Sequence, residues 1–147
     1  MEELINALKV VLADTHTMYM QAHGFHWNVV GPDFPEYHAF FELIYSEVYD
    51  SIDGIAEHIR ACGGYAPFTH SDMSMLTTIS EDPTISPGIS MVSKLQQANE
   101  LVLLSLKKAY KLAESVEEIG VSNYLQDRYD AHTKHGWMLR STLRPAP

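Results

Sequence analysis

A chain of 147 residues, 46% of them apolar and 20% charged, has the length and balance of one compact globular domain spanning residues 1–147 with an oligomeric interface, and no room for two domains. Nineteen acidic side chains against ten basic ones give a formal net charge of −9, which excludes a surface that gathers nucleic acid by general phosphate attraction. The single cysteine, Cys62, excludes a disulfide scaffold and fits a reducing compartment, with a small buried apolar role as its ordinary reading.

In chain order, Leu4, Leu8, Leu12, Thr15, Met18 or Tyr19, and Ala22 recur at steps of three and four over residues 3–23, the period of an amphipathic helix. At Asp33-Phe34-Pro35-Glu36 a capping aspartate, a proline in the first turn and a glutamate three residues on start a second helix, which Gly63-Gly64 ends. From Gly63 to Pro87 the chain is polar and broken by Pro67 and Pro83, a long crossover with a short helix near Ser71 to Thr78. Ser86-Pro87 opens a third long helix with Val92, Leu95, Asn99, Val102, Leu106, Ala109 and Ala113 as its stripe, ending near Glu117 to Gly120. A last helix runs from about Val121 to Leu143.

Short first and last connections around one long crossover describe an all-α, ferritin-like four-helix bundle with a short extra helix between helices 2 and 3; a plain up-and-down bundle shares the same periodicity. No stretch reaches the roughly 20 apolar residues of a membrane span. Met1-Glu2-Glu3-Leu4 is acidic where a secretory signal is basic, so the cytoplasm is the expected location and no membrane partner is expected.

The chemistry concentrates in one stretch. Between Lys9 and Arg60 there is no lysine or arginine, while Asp14, Asp33, Glu36, Glu42, Glu47, Asp50, Asp53 and Glu57 supply eight carboxylates and five histidines lie among them. Uncompensated carboxylates repel one another unless something positive sits between them, and a metal cation meets that need. On a wheel of 100° per residue with His38 at zero, Phe41, Ile44, Val48, Ile52, Ile55 and Ile59 fall between about 240° and 320°, the core stripe. His38, Glu42, Asp53 and Glu57 fall at about 0°, 40°, 60° and 100°, away from the core. Tyr45, Tyr49, Ala39 and Ala56 share this second face, which reads as a subunit interface.

A rise of 1.5 Å per residue separates Asp53 from His38 by roughly 22 Å, so one ion cannot touch both. His38 with Glu42 and Asp53 with Glu57 are therefore half-sites, which antiparallel packing against a two-fold mate would join into two shared sites. A carboxylate-rich set with one or two imidazoles suits iron or manganese better than zinc and leaves room for an oxidant; iron (Fe2+/Fe3+) is the expected cofactor. The second imidazole comes from the cluster His23, Gly24, Phe25, His26, Trp27 and Asn28.

His26-Trp27-Asn28-Val29, Gly31, Phe34, His38, Glu42, Asp53 and Glu57 resemble the iron-site signature of the Dps family, the mini-ferritins also called DNA-binding proteins from starved cells. The spacing of histidine, twelve residues to histidine, four to an acid, eleven to aspartate and four to glutamate carries the likeness. Ala61 to Pro67 and Lys134-His135-Gly136-Trp137-Met138-Leu139-Arg140 extend it over nearly the whole chain. The resemblance implies a homododecamer built from two-fold dimers as a hollow sphere, a ferroxidase that oxidises Fe(II) with hydrogen peroxide or dioxygen at the dimer interfaces, storage of ferric mineral inside, and protection against oxidative damage. It assigns His26, His38 and Glu42 from one subunit and Asp53 and Glu57 from its mate as metal ligands, with Glu57 bridging, and Trp27 beside the site as an electron donor or a packing aromatic.

Departures from that pattern set further expectations. Helix is expected almost from Met1, with no lysine-rich terminal extension, so DNA binding is expected to be weak or absent unless Lys107, Lys108 and Lys111 cluster on the outside. Asn123 stands where the family often has a pore aspartate, with Glu117 and Glu118 upstream. No glutamate is followed by histidine at the third position, so the intrasubunit di-iron motif of conventional ferritins is missing. A DNA-protecting nucleoid protein, or a structural cage whose metal site does not function, are the competing readings.

Overall fold

A computed structural model describes residues 1–147, folded into α1 (Glu2–Asn28), α2 (Phe34–Ala61), α3 (His70–Leu76), α4 (Gly88–Ser115) and α5 (Ile119–Leu143). The four long helices are those read from periodicity, and the short α3 sits in the crossover. No helix is long and apolar enough to cross a membrane.

The main difference lies at the end of α1, where the apolar pattern stops near residue 23 but the helix runs to Asn28. Phe25 is buried in the core, Asn28 Nδ2 donates to the Gly24 carbonyl at 2.9 Å, and the Val29 amide closes on the Phe25 carbonyl. These bonds outweigh the roughly 1 kcal/mol weakness of a mid-helix glycine and hold His26 and Trp27 in a regular last turn.

The start of α2 also departs from expectation. Asp33 occupies the cap position, yet its side chain makes no capping bond, and the turn is set by Gly31 at φ 121° with the Phe34 amide on the Gly31 carbonyl. Gly31 is required there because the left-handed region is strained for any residue with a Cβ. Pro35 then pre-sets the first turn. At the far end Gly63, at φ 88°, turns the chain out of α2.

Short connections at residues 29–33 and 116–118 make antiparallel hairpins of α1 with α2 and of α4 with α5, and α1 packs on α4 to join them. The core is continuous through Leu4, Leu8, Met18, Phe41, Ile44, Ile55, Leu95, Leu106, Leu125 and Leu139, each fully buried apolar side chain stabilising the fold by about 1.5–3 kcal/mol. The seam between α2 and α5 is polar instead. There the Tyr124 hydroxyl donates to the Ser51 carbonyl at 2.9 Å, and its ring lies where a Cβ on Gly54 would be 2.5 Å from the phenol oxygen.

The crossover is tied down by Asp14, which is fully buried on α1. Its carboxyl accepts from the Thr77 hydroxyl at 2.8 Å, the Thr78 amide at 2.6 Å and the Thr78 hydroxyl at 3.0 Å. Further along, Asp82 in the crossover pairs with Lys94 of α4 at 2.9 Å. Asp14→Ala removes the acceptor for the Thr77 hydroxyl and the Thr78 amide and hydroxyl, and is expected to lower the unfolding free energy by about 2–3 kcal/mol, measured by urea denaturation, with faster proteolysis between α3 and α4.

Candidate metal centre

His26 in the last turn of α1 and His38 near the start of α2 lock each other. His26 Nδ1 donates to the His38 carbonyl at 2.7 Å, and His38 Nδ1 donates to the His26 carbonyl at 2.7 Å. The rings stack with centroids 3.6 Å apart and planes 14° from parallel, and Phe34 stacks on His38 at 4.8 Å. A carbonyl oxygen only accepts, so each Nδ1 carries a proton, which leaves Nε2 as the nitrogen with the lone pair in the neutral ring. That tautomer, held by a backbone carbonyl, is the one an imidazole needs to bind a metal.

Glu42 follows His38 by one helical turn, and Glu42, Asp53 and Glu57 are all exposed on the protomer. None of the three pairs with a lysine, arginine or histidine of the same chain. Within one protomer no three His, Cys, Asp or Glu side chains converge. The structure thus unites His26 with His38 and leaves Asp53 and Glu57 on a distant part of the same helix face.

Two of the eight carboxylates in the base-free stretch have other work. Asp14 clasps the crossover, and Glu47 turns toward α5, so neither adds to the exposed acidic face. Periodicity cannot reveal this, because their partners lie 63 to 88 residues away in sequence.

An aromatic patch borders the histidine pair. Trp27 is 59% exposed and lies against His23 at 4.2 Å. His23 stacks on Tyr45 at 3.9 Å, and Tyr45 meets the His26 ring edge-on at 5.1 Å. The Tyr19 hydroxyl is 2.9 Å from His23 Nδ1. Burial, then the neighbouring Tyr49 and Tyr45, pushes the Tyr19 phenol up; burial, then His26, pushes the His23 imidazole down. Both shifts keep the pair neutral. Tyr45, placed on the interface face by the helical wheel, is therefore half-buried against α1, whereas Tyr49 is exposed.

Residues 5–146 match the family profile described as a ferritin-like domain. The chain is 33% identical over 142 residues to DNA protection during starvation protein 2 of Bacillus anthracis, covering 97% of each. The chain belongs to the Dps family. Among solved structures, Dps of Vibrio cholerae O1, described as a member of a broad superfamily of ferritin-like diiron-carboxylate proteins, superposes with a TM-score of 0.93 at 30% identity over 97% of this chain and 90% of that one. Dps of Staphylococcus aureus superposes with a TM-score of 0.94 at 26% identity over 99% and 98%.

In this Dps chain the bundle interior holds an ion-pair network that the sequence reading missed. Arg128 grips Glu47 with two bonds of 2.6 and 2.8 Å, and His135 Nε2 donates to the same carboxylate at 2.8 Å. Burial alone would raise the Glu47 pKa, but the hydrogen bonds from Arg128 and His135 outweigh it and hold the carboxyl well below the usual range. His132 completes the group, its Nδ1 donating to Asn99 Oδ1 at 2.8 Å while Asn99 Nδ2 donates to the His132 carbonyl at 2.9 Å. The cue in the sequence was Asn99, a polar residue in an otherwise apolar stripe.

Burial, reinforced by the positive Arg128 and by His135, lowers the His132 pKa from 6.5 to about 3. The unfolded chain therefore binds a proton below pH 6.5 that the folded chain refuses. Stability is complete above that value and declines as pH falls toward 3, with a slope approaching about 1.4 kcal/mol per pH unit for this one group. Denaturation midpoints measured across that range check this, and His132→Gln is expected to flatten the slope.

Proposed function

We propose that this Dps protein is a ferroxidase and iron store that oxidises Fe(II) at sites shared between two-fold related subunits. The supporting observation is the reciprocally locked His26 and His38 pair, with Glu42 one turn along α2 on the helix face that also carries Asp53 and Glu57. One protomer supplies the two imidazoles and Glu42, and Asp53 and Glu57 of an antiparallel mate complete the donor set. Mixed nitrogen and carboxylate donors suit Fe(II), and carboxylates stabilise the Fe(III) product.

Hydrogen peroxide accepts two electrons from two Fe(II) ions and two protons from solvent, its O–O bond breaking to give two waters. No hydroxyl radical is released when both electrons arrive. Trp27, beside the site, is positioned to give an electron when only one Fe(II) is bound. Ferric product collects as mineral inside a hollow homododecamer, which protects the cell against oxidative damage. Dioxygen is the slower oxidant of the same sites. The net charge of −9 disfavours duplex DNA, so DNA binding is weak or absent.

Anaerobic Fe(II) oxidation by hydrogen peroxide, followed by ultraviolet absorbance, tests the proposal in the parent and in Asp53→Ala/Glu57→Ala, both confirmed as assembled. Rapid oxidation in the parent that falls at least roughly tenfold in the variant is the expected result, on the scale of lost metal-site residues. Equal rates, matching the protein-free reaction, would overturn it in favour of a structural or DNA-protecting cage.

A further inference from the structure

We infer that His16 of α1 and His70 of α3 form a second metal site, which takes a borderline divalent ion such as Zn(II) and straps the crossover to α1. It shares no residue with the candidate iron centre, so the inference goes beyond the ferroxidase reading and does not depend on it. The two rings lie with centroids 6.4 Å apart and planes 49° from each other. Neither takes part in a hydrogen bond or ion pair; the bonded rings are those of His23, His26, His38, His132 and His135. Each neutral ring therefore has an uncommitted lone pair to offer. Burial, then the nearby His70, pushes the His16 imidazole down, which keeps it unprotonated and able to bind at neutral pH.

Imidazole nitrogens bind Zn(II) at about 2.0–2.1 Å, which puts two rings on one tetrahedral ion with centroids about 5 Å apart. A side-chain rotation of the exposed His70 closes the observed 6.4 Å to that spacing. No third His, Cys, Asp or Glu converges on the pair, so water completes the coordination. Two imidazoles without a carboxylate favour Zn(II), Cu(II) or Ni(II) over Mg(II) or Ca(II). The consequence for the fold lies in α3, which is tied at one end only. Asp14 clasps its far end through Thr77 and Thr78, whereas Thr69 at its start bonds only to the Asp72 amide of α3 itself. Phe68, just ahead, is 90% exposed. His70 stands one turn before Met73, which packs against the core, so its ring lies on the side of α3 that meets α1. An ion held by both rings supplies the missing tie, and the strap tightens with the supply of that ion.

The test uses assembled Asp53→Ala/Glu57→Ala protein, in which the iron centre is incomplete, with and without His70→Ala or His16→Gln. Zinc uptake is measured by equilibrium dialysis, and one zinc fewer per chain is expected when either histidine is replaced. Chymotrypsin cleavage after Phe68 reports the strap in the same proteins. Zinc at roughly ten times its dissociation constant is expected to slow that cleavage about tenfold. His70→Ala, at an exposed and unbonded side chain, is expected to keep the fold and abolish the protection, and magnesium to give none. Zinc uptake indifferent to His70→Ala or to His16→Gln would overturn the site. Uptake lost in both variants, with cleavage indifferent to zinc, would overturn the strapping role.

Discussion

The two hydrogen bonds between His26 and His38 tie each imidazole to the other residue's backbone, so ring orientation, tautomer and helix spacing are fixed together. Neither ring can turn without breaking a bond that also holds the end of α1 against the start of α2. Several features of the fold serve this clamp. The helical turn from Gly24 to Asn28 carries His26 to the right height, Gly31 permits the tight reversal, and Phe34 and Tyr45 pack around the rings. A pair of imidazoles held in this way has little orientational entropy left to lose on binding any partner.

Charge is handled in opposite ways on the two sides of α2. Inside the bundle, Glu47 is fully engaged by Arg128 and His135, and His132 is kept neutral. Outside, Glu42, Asp53 and Glu57 carry no cationic partner at all. A carboxylate drawn toward the core without a partner is costly, which accounts for the bonds that Arg128 and His135 make to the half-buried Glu47, while Arg128 Nε and His135 Nδ1 stay unpaired. Exposed carboxylates tolerate water in the free protomer, so they can remain unpaired until a cation or a second surface reaches them.

Much of this was legible in the sequence because it is local. The apolar period set the four long helices, the proline-punctuated stretch marked the crossover, and the run without lysine or arginine isolated the face of His38, Glu42, Asp53 and Glu57. What escaped depends on contacts between distant segments. Asp14 looked like one more acid until Thr77 and Thr78 folded onto it, Glu47 was indistinguishable from Glu42 without Arg128, and Asp33 looked like a capping residue although Gly31 governs the turn. The last turn of α1 was hidden because Gly24 interrupts the pattern while Phe25, a single anchoring residue, restores the helix.

Helix α2 presents three surfaces to three different environments. Its apolar stripe enters the core, and the face with Glu42, Asp53 and Glu57 points outward. On the same wheel, Glu47, Ser51 and Gly54 fall between about 160° and 220°, the side that meets Tyr124, Arg128 and His135 of α5. A rod with all of its sides spoken for has few positions free to vary. Sequence drift in this protein should therefore be slowest along residues 34–61, with the exposed flanks of α4 and α5 absorbing most of the change.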